Sequence, residues 1–94
     1  MNPGLETAET LALKALAWLA GNEELFPVFL GATGARHESL SKSASDPAFL
    51  GSVLDFLLMD DAWIVGFCDA SGYGYEDPRR ARAALPGGGE WHWT

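Results

Sequence analysis

Asp46-Pro47-Ala48-Phe49-Leu50-Gly51-Ser52-Val53-Leu54-Asp55-Phe56-Leu57-Leu58 is the stretch that decides the fold. Aspartate before proline starts a helix: the carboxylate caps free amides, and proline at the first helical position brings a preset φ and no amide to leave unpaired. From Phe49 to Leu58 nearly every face is apolar, and only Gly51, Ser52 and Asp55 are left to meet water. Such a helix must be surrounded by others, so this segment is placed at the core of an all-α domain.

Working outward, Leu5 to Ala20 repeats apolar residues at helical spacing (Leu5, Ala8, Leu11, Ala12, Ala15, Leu16, Leu19), with Glu6, Thr10 and Lys14 on the other side. Its alanine-rich inner face predicts close approach by a neighbouring helix. Gly21-Asn22 ends it and caps a second helix over Glu23 to Thr33, which starts near Pro27 or is kinked there, because proline lacks an amide hydrogen and clashes with the carbonyl four residues back. Gly34 closes that helix, and the serine-rich run His37 to Ser45 supports at best a short one. After the core helix, Asp60 or Asp61 starts a fifth with Trp63, Ile64, Phe67 and Cys68 inward, ended by Ser71-Gly72. Asp77-Pro78 repeats the cap-and-proline start for a last helix to Leu85, and Pro86-Gly87-Gly88-Gly89 breaks order.

Residues 11–45 align without a gap on residues 49–83, an offset of 38. Six of the 35 pairs are identical, too few to carry the argument, so the punctuation carries it: Asn22 meets Asp60, both good caps, and Gly34 meets Gly72, both helix terminators. A fixed period is an architectural signal. The expectation is an all-α compact bundle of five or six short helices, built as two pseudo-repeated three-helix units (11–45 and 49–83) packed about a twofold axis with the first and fourth helices side by side. Residues 1–86 form the single helical domain, and residues 87–94 a Gly-rich joint and Trp-containing tail.

Composition narrows the function classes. With 94 residues, 48% hydrophobic and eleven aromatics, the chain buries a core without a metal or disulfide staple. Its one cysteine, Cys68, excludes an intrachain disulfide, and no charged-then-apolar leader opens the chain, so a cytoplasmic location is expected. The longest strongly apolar run is interrupted by Asp55 and falls short of the about 20 residues a bilayer crossing needs. A net charge of −7 argues against nucleic acid, and Arg79, Arg80 and Arg82 read as partners for Glu76, Asp77 and neighbouring acidic helices. Asp46 to Asp77 holds seven carboxylates and no lysine or arginine, an acidic surface of which Asp46, Asp60, Asp61 and Asp77 are explained by capping.

No catalytic, cofactor or metal motif stands out. His37, His92 and Cys68 share no ligand spacing, and Cys68, on an apolar helix face, reads as a buried hydrophobe with a raised pKa. Adjacent acids such as Asp60-Asp61 point about 100° apart on a helix and do not face each other as a catalytic pair. Gly87-Gly88-Gly89 follows a helix instead of joining a strand to one, so it lacks phosphate-cradling geometry. The tail Glu90-Trp91-His92-Trp93-Thr94 departs from what a core requires, since two tryptophans on a glycine tether carry a large apolar area that should dock on this domain, on a partner or on a second copy, with a disordered tail as the remaining alternative. Trp18 and Trp63 read as core.

Thr33-Gly34, Leu40, Asp46-Pro47-Ala48-Phe49-Leu50, Val53-Leu54-Asp55-Phe56-Leu57-Leu58 and Arg82-Ala83-Ala84-Leu85-Pro86-Gly87 together resemble the domain of unknown function 3572 family. The resemblance covers most of the chain. It implies a small all-helical bacterial protein with no established activity, and supplies no catalytic or binding residue. The expected function is a non-enzymatic protein-interaction or adaptor module, binding an unknown protein partner or a second copy through Trp91, His92 and Trp93, through Asp60 and Asp61, or both. The alternative is a small-ligand binder or enzyme with a pocket between the two units near His37 and Tyr75, which the offset aligns.

Overall fold

The computed structural model describes residues 4–86. Six helices form in chain order: α1 (Leu5–Ala20), α2 (Leu25–Thr33), α3 (Leu40–Ser43), α4 (Pro47–Leu57), α5 (Asp61–Ser71) and α6 (Asp77–Ala84), with a 3₁₀ turn over His37–Ser39 before α3. The described residues contain no strand. The 16-residue α1 is the longest helix, and α4 and α6 both pack along it.

Local chemistry accounts for the boundaries. The Asp46 carboxylate accepts the amide of Ala48 at 3.0 Å, and that of Asp60 accepts Ala62 at 2.8 Å. Asn22 takes the amides of both Glu24 and Leu25 on its Oδ1, each at 3.0 Å. That cap lets α2 begin two residues before Pro27, which sits in the first turn where its missing amide leaves no helical bond unmade. At the far ends, Gly34 (φ 74°) and Gly72 (φ 83°) take the left-handed conformation that a residue with a Cβ adopts only at a cost.

The core is apolar throughout, with no buried polar or charged residue among those described. Ala8, Ala12, Ala15 and Leu19 of α1, Val53, Leu54 and Leu57 of α4, Phe29 of α2 and Phe67 of α5 are all fully buried. The small side chains buried on α1, and Ala81 buried on the short α6, allow these two helices to approach closely. α4 is central, as its sequence implies, but one detail differs: Gly51 is buried, covered by the Arg82 side chain of α6. Trp18 and Trp63 lie at the margin of the core, half-buried: Trp18 lies over Gly66 with its edge to Phe67, and Trp63 stacks on Phe56 at 4.7 Å.

Several paired features obey the 38-residue offset. Trp18 meets Phe67 edge-on at 6.2 Å, and the aligned pair Phe56 and Phe29 meet edge-on at 5.4 Å. The correspondence stops at the third helices. α6 packs on both α1 and α4, whereas α3 lies chiefly against the 3₁₀ turn before it. A twofold arrangement of two three-helix units is therefore not established.

Candidate functional site

The carboxylates of Asp46 to Asp77 are largely engaged within the protein. Asp46 and Asp60 cap helices, Asp55 holds Arg82, and Asp69 accepts the Tyr75 hydroxyl at 2.7 Å. Glu76 accepts Arg80 at 3.1 Å. Asp77 does not cap α6 as the sequence suggests: its Oδ2 accepts the amide of Gly74 at 2.9 Å, tightening the turn ahead of the helix. Asp61 stands in the first turn of α5, exposed and without a side-chain hydrogen bond among the described residues. Beside it Met59, at the corner between α4 and α5, is 71% exposed.

Arg82 forms the most constrained polar contact. Its Nε donates to Asp55 Oδ1 at 2.6 Å and its Nη2 to Asp55 Oδ2 at 3.1 Å, a two-pronged pair that matches the planar guanidinium to the carboxylate. Nη1 donates to the Pro86 carbonyl at 3.0 Å. A Cβ placed on Gly51 would lie 2.9 Å from that Nη1, so the glycine makes the room. The side chain is 15% exposed, and it ties α4, α6 and the exit of the chain together. The sequence points the arginines at neighbouring acids without singling out Asp55, because the two lie 27 residues apart.

Cys68 is buried, and its thiol donates toward the Gly74 carbonyl at 3.4 Å. Burial, then the nearby charges of Asp77 and Asp69, push its pKa up, which keeps the thiol protonated and a poor nucleophile. The Asp69 hydrogen bond, then that carboxylate's charge, raises the Tyr75 phenol. His37 packs edge-on against Phe26 at 5.8 Å. Among the described residues His37 and Tyr75 thus have separate partners, and no hydrogen bond or ring pair joins them. Among the described residues no group of three or more His, Cys, Asp or Glu gathers as a metal site would need.

A shallow groove of about 430 Å³ opens elsewhere, between α1, α3 and the start of α4, lined by Glu9, Leu13, Ser41, Ala44, Ser45 and Leu50. It combines an apolar floor with hydroxyls and one carboxylate. Trp91, His92 and Trp93 lie outside the described residues.

The model of a protein family of unknown function, DUF3572, matches residues 5–88. The chain belongs to that family. The family match spans all six helices, and two of the stretches that carry the resemblance, Val53 to Leu58 and Arg82 to Gly87, meet at the Asp55–Arg82 pair. No curated protein and no solved structure matches the chain. No helix among the described residues is long and apolar enough to cross a membrane.

Proposed function

We propose that this member of the family is a non-enzymatic interaction or adaptor module of the bacterial cytoplasm. It binds protein through the Trp91-His92-Trp93 tail, through the surface around Asp60 and Asp61, or through both. The observation that carries the reading is the corner between α4 and α5. There an exposed methionine, Met59, stands next to Asp60 and to the exposed carboxylate of Asp61. An apolar side chain left in water beside negative charge suits a partner that offers an apolar contact edged with lysine or arginine. The carboxylates already engaged by caps and by Arg80, Arg82 and Tyr75 contribute less, since each has an internal partner.

The test is a pull-down from source cytoplasm with three baits: the full chain, a version ending at Pro86, and a full chain carrying Met59→Ala and Asp61→Lys. A partner held by the full chain and lost from either altered bait supports the module and says which element binds. Near-empty lanes from all three folded baits would remove the reading. The groove between α1, α3 and α4 supports a second reading, a small-ligand binder, which a thermal-shift screen of metabolites would reveal as a raised Tm.

A further inference from the structure

The groove between α1, α3 and α4 is open, yet parts of it are ill-suited to water. Leu13 is 42% exposed, Ala44 is half-buried, and the floor is the buried Leu50. Around these apolar groups stand the hydroxyls of Ser41 and Ser45 and the carboxylate of Glu9, which enters no ion pair among the described residues. Apart from the hydroxyl protons, this rim offers hydrogen-bond acceptors. The matching ligand is a flat apolar group with one N–H to donate, accompanied by a cation or further donor. Its volume lies within the about 300–1,000 Å³ range of pockets that hold compact organic groups, so an indole fits.

The chain itself supplies such a group and delivers it nearby. Arg82 pins the Pro86 carbonyl, and a Cβ on Gly51 would lie 3.4 Å from that same oxygen, so the chain leaves the described domain against α4 at Gly51. Leu50, the groove floor, is the residue before Gly51 in α4, with its Cα about 3.8 Å away and its side chain turned about 100° from the Gly51 direction, so the tail reaches the groove by passing part of the way around α4. From Pro86, residues 87 to 91 span at most about 17 Å when extended. Three glycines among them remove side-chain obstacles to a tight reversal. We propose that this groove is the docking site of the chain's own C-terminal segment, with Trp91 or Trp93 in the apolar floor, its indole N–H toward Ser41 or Ser45, and His92 toward Glu9. The inference goes beyond the interaction reading because it concerns the isolated chain. Its consequence for that reading is competition: a partner that takes the tryptophans must draw them out of the groove.

Tryptophan indole N–H resonances of the isotope-labelled full chain test this without any partner. The expected result is nuclear Overhauser contacts from the Trp91 or Trp93 indole to the methyls of Leu13 and Leu50. Leu13→Asp, which puts a charge in the apolar wall, and, separately, Ser41→Lys, which replaces an acceptor with a cation, should abolish them and move the tail resonances to their positions in a free peptide of residues 87–94. Leu13 and Ser41 are both exposed, so the body should stay folded, and the unshifted indoles of Trp18 and Trp63 serve as the control. Tail resonances at free-peptide positions in the unaltered chain would overturn the proposal. Contacts that vanish on dilution would also overturn it, by assigning the groove to the tail of a second copy.

Discussion

Residues 22–43 and 60–81 begin alike and end differently. Each opens on a side-chain cap, Asn22 or Asp60, and each buries one phenylalanine completely, Phe29 or Phe67. Each then bonds a hydroxyl back to that phenylalanine's carbonyl, Thr33 at 2.8 Å and Ser71 at 2.7 Å, and stops on a left-handed glycine. Beyond the glycine the two part. The first continues into a 3₁₀ turn and the single turn of α3, the second into the eight residues of α6 along α1. Caps and terminators are local chemistry and recur wherever the residues recur. The course of the chain past them depends on whether the next segment has a face to bury: Pro78, Ala81 and Leu85 supply one, and the serines at 39, 41, 43 and 45 do not.

The strongest test of the likeness is Phe29→Ala beside Phe67→Ala. Each should cost about 3–5 kcal/mol in urea unfolding, as removal of a buried aromatic does. Losses that differ by more than about 2 kcal/mol would mean that the two phenylalanines are not equivalent anchors.

The unlikeness is sharpened by Arg82, which has no counterpart in α3. Arg82→Met should lose about 1.5–3 kcal/mol, the range for hydrogen bonds to a charged group. Gly51→Ala adds a way to read the same contact. In the unaltered protein its Cβ would press on a guanidinium held by Asp55, and any gain in helix propensity should vanish. In an Arg82→Met background the same change should stabilise by up to about 1 kcal/mol. Equal effects in both backgrounds would show that Arg82 does not occupy the space above Gly51.

Smaller effects belong to the terminators and caps. Gly34→Ala and Gly72→Ala should each cost about 1–2 kcal/mol, since both positions hold a positive φ and neither is crowded. Asn22→Ala and Asp60→Ala should each cost about 1 kcal/mol. The aspartate cap should be the more sensitive to salt, because only it carries charge to meet the helix dipole. Matching salt dependence would break that distinction.

Three positions show how far the candidate site is legible in the sequence. Asp60 reads as a cap from its place before an apolar run, and it is one. Asp77, with the same Asp-Pro signature as Asp46, turns its carboxylate back to Gly74 because a tight Gly74–Asp77 turn offers an amide there first. Gly51 reads as facing water and is instead covered, because a glycine inside an apolar run announces nothing about what lies over it. The groove lined by Glu9, Leu13 and Ser41 leaves no sequence signal at all, since its walls come from three helices that only tertiary packing brings together.

The all-α class, most helix limits, the central position of α4 and membership of the family are determined by the order of residues alone. These rest on short-range rules of capping, periodicity and termination that act within a few positions. The Asp55–Arg82 clamp over Gly51, the close pairing of α1 with α6 and the groove beside α3 are decided by tertiary structure. Each depends on which surfaces meet across tens of residues, and that choice is made by packing volume and by the need to pair a nearly enclosed charge.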